Sequence, residues 1–278
     1  MTKIQTPLRY PGGKKRLSCF MGTLIKENNL QECVYVEPFA GGCGLALDLL
    51  DKGLVTELYL NDIEAGIASF WNLVLNHCEE FCEKIQATEV SITEWLRQKE
   101  LVNSQDPVEK GFATFFLNRT NRSGILKAGP IGGKEQKGKW KLDCRFNKED
   151  LISRIRAVSS QRDRIRFSNL DASVFLEELL SAPSGKMLLN LDPPYFVKGK
   201  GLYLNHYNPE DHKKIAERMK AIKTIPWVVS YDNHEFIRSI YSGCPSLTYS
   251  LAYSAHYHTS GEEIIFFGNL KKIPSLVR

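Results

Sequence analysis

Leu189-Asn190-Leu191-Asp192-Pro193-Pro194-Tyr195-Phe196 is the stretch on which the fold turns. Met187 to Leu191 is a short apolar run with the length of a buried strand. Proline has no backbone N–H to give to a ladder, so the strand stops at Asp192. Each proline also holds the residue before it extended, which stiffens Asp192 and Pro193. A carboxylate, the Pro193 carbonyl and the Tyr195 ring therefore project past a strand's carboxyl end. In open α/β sheets ligands sit there. A carboxylate and a carbonyl side by side are two acceptors, suited to an amine with two hydrogens. The ring suits a flat partner. Together they point to an aromatic amine such as the exocyclic nitrogen of a nucleobase. The plainer alternative is a strand-ending acid before a Pro-Pro turn with a packed tyrosine.

Upstream, Val34 to Val36 reads as a strand and Leu45 to Leu50 opens a helix, with Glu37-Pro38-Phe39-Ala40-Gly41-Gly42 between them. This is a dinucleotide-type strand–turn–helix without G-x-G-x-x-G spacing. Glu37 would repel a pyrophosphate but welcome a sulfonium or ammonium. A second strand, Glu57 to Leu60, ends in Asn61-Asp62, about 20 residues on, the usual reach of an acid to ribose hydroxyls. A positively charged nucleoside fits both acids, and S-adenosylmethionine is one; a nicotinamide cofactor is the competing reading. Nearer the start, Tyr10-Pro11-Gly12-Gly13-Lys14 offers a ring, a tight loop and a cation, suited to a small ligand with an aromatic end and a carboxylate end. Asp171, just past the strand Arg164 to Phe167, either reaches an adenine or caps the helix Asp171 to Leu180.

Between Ala65 and Val158 the strand–helix alternation gives way to helical patterns at Ala65–Leu75, Phe81–Ile85, Ser91–Leu101, Pro107–Leu117 and Lys148–Val158. Asp106 and Asn147 are the expected caps of the last two. Glycine and lysine crowd the segment from Lys127 to Arg145, which reads as a mobile loop or hairpin. From Arg119 to Arg166 fourteen Lys and Arg stand against five Asp and Glu, so a chain of net charge +5 is slightly acidic elsewhere. That basic concentration is the footprint of a polyanion partner. Downstream, Pro209–Ile222 and Glu235–Tyr241 read as helices, Trp227–Tyr231 as a strand, and Leu247–Tyr253 with Glu263–Phe267 as a closing antiparallel pair.

At 278 residues and 42% hydrophobic, the chain can bury a large core. No apolar run approaches the roughly 18 residues of a membrane span. Seven cysteines without a Cys-x-x-Cys pair suggest reduced thiols and a cytoplasmic protein, with neither a disulfide framework nor a metal site.

Taken in order, Tyr10-Pro11-Gly12-Gly13-Lys14, Glu37-Pro38-Phe39-Ala40-Gly41-Gly42, Asn61-Asp62-Ile63, Phe116-Leu117-Asn118-Arg119 with Gly124, and Asp192-Pro193-Pro194-Tyr195 resemble the motifs of Dam-type adenine-specific DNA methyltransferases. The resemblance implies a Rossmann-like α/β methyltransferase sheet, residues 1–64 and 159–278, with a mostly helical inserted target-recognition domain at 65–158. It implies S-adenosylmethionine as methyl donor, no metal, and double-stranded DNA, in a GATC-like site, as acceptor. Asp192, Pro193, Pro194 and Tyr195 are the expected catalytic residues. Tyr10, Lys14, Glu37, Phe39, Gly41, Asp62, Asp171 and Asp192 are expected around the cofactor. Asn118, Arg119, Arg122, Lys134, Lys137, Lys139 and Arg145 are expected on DNA, in a monomer or weak dimer. The rival readings are methyl transfer to RNA or to a protein amide, and a catalytically silent DNA-binding relative.

Overall fold

The computed structural model describes residues 3–9, 17–181, 185–197, 207–252 and 260–275. Among these, seven strands form one sheet in the order β3-β2-β1-β4-β5-β7-β6. They are β1 (Cys33–Glu37), β2 (Val55–Asn61), β3 (Ile165–Ser168), β4 (Met187–Leu191), β5 (Trp227–Asp232), β6 (Ser246–Ala252) and β7 (Ser260–Gly268). β1 to β5 pair in parallel, and β7 runs antiparallel to both neighbours, β5 and β6. The sequence pairs β6 with β7 correctly; that β7 lies between β5 and β6 emerges only from the fold.

Every residue of β1, β4 and β5 is buried. Strands covered on both faces read as unbroken apolar runs, which is why these were visible in the sequence. Alternate residues feed two cores. Tyr35, Leu58, Leu188 and Val228 pack with α1 (Ser18–Glu27), α2 (Gly44–Asp51) and α3 (Ala65–Asn76). Val36, Leu189, Val229 and Tyr231 pack with α8 (Ala172–Ser181), α9 (Pro209–Ala221) and α10 (Glu235–Ile240).

The helices between β2 and β3 are α3, α4 (Cys78–Ala87), α5 (Ile92–Leu101), α6 (Pro107–Thr120) and α7 (Lys148–Ser159). Asp106 caps α6 by accepting the Val108 N–H at 2.9 Å, and Asn147 caps α7 by accepting that of Asp150 at 2.9 Å. Phe70, Phe81, Phe115 and Phe146 join these helices through ring contacts of 5.2–5.9 Å between centroids. Their cluster is continuous with the core on the α1–α3 face of the sheet. Among the described residues no helix is long and apolar enough to cross a membrane.

Candidate active site

The strand order reverses between β1 and β4, and at the carboxyl ends of such neighbours open α/β sheets hold their ligands. Glu37 ends β1 and Asp192 follows β4 directly. Glu37 is buried and accepts hydrogen bonds from the Tyr35 hydroxyl at 3.1 Å and the Asn190 amide at 3.4 Å. Burial, opposed by the Tyr35 hydroxyl and reinforced by the charge of Asp192, raises its pKa to about 8.

The turn after β1 is fastened to the end of β2. Asp62 accepts the Gly41 N–H at 2.8 Å and the Glu64 N–H at 2.9 Å, and the Trp71 indole donates to the Gly41 carbonyl at 2.9 Å. Gly41 has φ 48°, a left-handed conformation that suits glycine in this close turn. Enclosure raises the Asp62 pKa to about 6 even though two N–H donors favour its charge. Asn61, fully buried, donates to the Pro38 carbonyl at 3.1 Å and the Leu170 carbonyl at 3.0 Å, and accepts the Leu170 N–H at 2.9 Å. One side chain thus ties the end of β2 to the loops after both of its neighbouring strands. Sequence reading passed over Asn61 as the residue before the acid.

Phe39 meets the ring of Tyr207 edge-on at 5.8 Å. Burial, then the charges of Asp171, Asp211 and Asp62, push the Tyr207 phenol up, which gathers these acids about one ring. Asp171 spends one oxygen on the Ser173 N–H, at 2.8 Å, capping α8. Of the two roles open to Asp171, the cap is the one the structure shows. Tyr10 and Lys14 lie outside the described residues.

The Asp192-Pro193-Pro194-Tyr195 tip is held from both sides. Asp232, the buried last residue of β5, accepts the N–H groups of Phe196 and Val197, each at 2.9 Å. The Phe196 ring stacks on Phe236 at 4.7 Å. On the other side Tyr195 is hydrogen-bonded to Glu263 of β7, which also accepts from the Tyr249 hydroxyl. Burial, then the charges of Asp192 and Glu263, push the Tyr195 phenol well up, so it stays protonated. Neither Asp232 nor Glu263 was singled out in the sequence. Their only signal is an acid on an otherwise apolar strand.

The residues expected on DNA divide into two groups. Asn118 is buried, accepts the Arg9 N–H at 2.7 Å, and donates to the carbonyls of Arg9 at 2.8 Å and Gly124 at 3.0 Å. Its amide is fully engaged with its own backbone, so the DNA contact expected of it is corrected to a scaffolding role. Gly124 closes the same joint at φ 76°, and a Cβ there would come within 2.5 Å of the Arg9 carbonyl. Arg119 is half-buried and donates to the carbonyls of Arg145 at 2.7 Å and Pro7 at 3.4 Å. Burial and the neighbouring guanidiniums of Arg9, Arg154 and Arg145 lower its pKa to about 10. Such like-charged crowding favours an anionic partner. Arg122, Lys134, Lys137, Lys139 and Arg145 are exposed, with Lys137 beside Glu135 at 2.5 Å.

The segment from Lys127 to Arg145, read as a mobile loop or hairpin, follows a path tied together by one side chain. Gln136 fixes it: its amide donates to the carbonyls of Ile131 at 2.8 Å and Gly133 at 2.6 Å, and its side-chain oxygen accepts the Leu142 N–H at 2.8 Å.

Comparison with known proteins bears on this arrangement. The chain is similar to a Type II methyltransferase, M.MjaIII, of Methanocaldococcus jannaschii, with 23% identity over 238 residues, 77% of this chain and 79% of the relative. Its fold overlaps distantly with the rRNA methyltransferase aviRa from Streptomyces viridochromogenes, at TM-score 0.38 and 11% identity over 93% of this chain and 86% of that one. A Legionella pneumophila protein overlaps at TM-score 0.41 and 10% identity, over 95% and 88%. The family model for D12 class N6 adenine-specific DNA methyltransferases matches residues 10–258, a span that holds the Glu37 turn, Asp62, the basic loop and the Asp192 tip. The chain belongs to that family, and it is an adenine-specific DNA methyltransferase.

Proposed function

We propose that the chain transfers a methyl group from S-adenosylmethionine to the exocyclic amine of an adenine flipped out of duplex DNA, with Asp192 and the Pro193 carbonyl as the acceptors that shape that amine. The observation that carries this reading is the proline-stiffened tip, held by Asp232 and Glu263 beside the Glu37 turn.

The donor, when bound, supplies an already activated methyl group on a sulfonium. Two enclosed acids at the ends of β1 and β2, a left-handed turn at Gly41 and the Phe39–Tyr207 ring pair suit a cationic nucleoside. The stacked, paired adenine must leave the duplex, at a cost of about a few kcal/mol. Tyr195, its hydroxyl occupied by Glu263, offers its ring as a platform that offsets part of that cost. The ring delocalises the amine's lone pair. Hydrogen bonds from the amine to Asp192 and the Pro193 carbonyl pull the nitrogen toward tetrahedral geometry and free that pair.

Arg119, Arg122, Lys134, Lys137, Lys139 and Arg145 would hold phosphates, with residues 65–158 serving as the recognition insertion. The reading further includes a GATC-like target, a monomer or weak dimer, and a cytoplasmic enzyme, possessed of free thiols suited to a reducing compartment. A place in restriction–modification belongs with it. Isotope-labelled methyl transfer to unmethylated duplex DNA, duplex RNA and protein, followed by nucleoside analysis, tests the proposal. N6-methyladenine from DNA is the expected product; label only in RNA or protein defeats it.

The raised acids give donor binding a pH dependence. Glu37, with a pKa near 8, is largely protonated at pH 7, and Asp62 ionises near pH 6. A bound cation favours both carboxylates, so binding expels protons and tightens as pH rises from 6 to 8, by up to about tenfold per unit for each proton released. The free protein behaves oppositely. An acid whose folded pKa is raised stabilises the fold below its unfolded pKa, and that contribution is lost as pH rises through the folded value. Calorimetry in buffers of different ionisation enthalpy should show proton release at pH 7 that Glu37→Gln diminishes. Affinity independent of pH across this window would refute the assignment of the two acids.

A further inference from the structure

Trp140 stands at the outer end of the basic loop with 61% of its surface exposed, more than any other large hydrophobic among the described residues. A single exposed apolar residue is ordinary on a protein surface. Two observations separate this one from that background.

The first is the rigidity of its mount. Besides the three hydrogen bonds of the Gln136 side chain, the Lys141 ammonium donates to the Gln136 carbonyl at 2.5 Å and the Gly138 N–H to the Gly132 carbonyl at 3.0 Å. Leu142 and Phe146, both buried, anchor the returning limb of the loop in the core. An indole on a slack loop could fold onto nearby apolar surface; this one is held out into solvent.

The second is its surroundings. Lys134, Lys137, Lys139 and Lys141 lie within seven positions of it and are all exposed. The Lys139 ammonium stands 5.5 Å from the indole centroid. A flat apolar face framed by cations matches a polyanion whose interior is a stack of flat apolar rings. The phosphates would meet the lysines, and the indole would meet a base.

We propose that Trp140 packs against a base face laid bare where base flipping opens the stack of the duplex substrate, making this loop a stacking arm as well as a phosphate contact. The inference rests on the assignment of DNA as substrate. It adds a ring, distinct from Tyr195, that reads the duplex from the insertion.

The protein supplies its own probe. Trp71, Trp95 and Trp227 are each 2% exposed or less, so acrylamide reaches the emission of Trp140 first. Saturating unmethylated duplex, with binding followed independently through the anisotropy of a labelled strand, should shield Trp140 from acrylamide. Trp140→Phe should abolish that change. Trp140→Ala should weaken duplex binding about tenfold, equal to about 1.4 kcal/mol, without altering the slope of affinity against salt. Lys137→Ala, by contrast, should lower that slope by about one. The exposed position makes these variants safe for folding. Duplex binding with the indole still open to acrylamide, or an unchanged Kd for Trp140→Ala, overturns the inference alone. Shielding by anionic phospholipid vesicles or duplex RNA but not by DNA also overturns it. Failure of the wild-type protein to bind duplex by anisotropy removes both the inference and the reading beneath it.

Discussion

Asp192→Ala is expected to lower single-turnover methyl transfer by about a hundred- to a thousandfold, while donor and duplex still bind measurably. The magnitude is that of removing one fixed hydrogen-bonding partner from a site where charge develops. As the methyl group moves, positive charge grows on the amine nitrogen. The carboxylate is therefore worth more at the transition state than beforehand. Its position favours this: Asp192 follows a fully buried strand, and its charge reaches Glu37, Tyr35 and Tyr195. Asp192→Asn, which keeps an acceptor oxygen without the charge, falls between the two. Turnover within threefold of wild type in Asp192→Ala would end the catalytic role assigned to this residue.

The second large effect comes from a residue that touches no substrate. Asp232→Ala strips the partners from the N–H groups of Phe196 and Val197 at once. The tip then keeps only ring packing of Phe196 on that side, with no hydrogen bond from Asp232 to fix its backbone. Displacement of reacting groups by about 1 Å can cost on the order of a hundredfold in rate. The fall should appear in kcat, with the donor Kd changed by less than about threefold, because the Glu37 turn and Asp62 are tied to each other and not to Asp232. Asp232→Asn can accept only one of the two N–H groups with its oxygen and should recover part of the loss. If both variants raise the donor Kd and leave kcat intact, Asp232 supports the cofactor crevice rather than the tip.

The strand tip was legible because its instructions are local. Prolines end an interior strand, which must give its N–H groups to neighbours, and an apolar run between turn residues announces burial. The caps at Asp106 and Asn147 are local in the same sense. Asp232 and Glu263 were silent because their partners lie far along the chain; Asp232 reaches Phe196 across 36 positions. Asn118 misled for a different reason. Residues from Gly111 to Asn118 are buried without a break, so α6 has no polar stripe to show which polar side chains point inward. An asparagine beside an arginine in such a helix reads as surface. The loop from Lys127 to Arg145 has the composition of a slack linker. One glutamine facing three backbone groups reverses that, and nothing in composition marks which glutamine will do so.

The joint between Asn118 and Arg9 has a consequence for how the two ligands communicate. Arg9 leads into residues 10–16, where the resemblance sets a donor loop, and Asn118 sits in the last turns of the helix that opens the basic region. Two hydrogen bonds join Arg9 to Asn118, and a third joins Asn118 to Gly124, which closes over the joint. A shift that a ligand imposes on one side of this joint should be passed to the other, and thermodynamic reciprocity would then require one coupling factor for both directions. The ratio of duplex affinities with and without donor should equal the ratio of donor affinities with and without duplex. Gly124→Ala, by forcing the joint open, should bring both ratios toward unity.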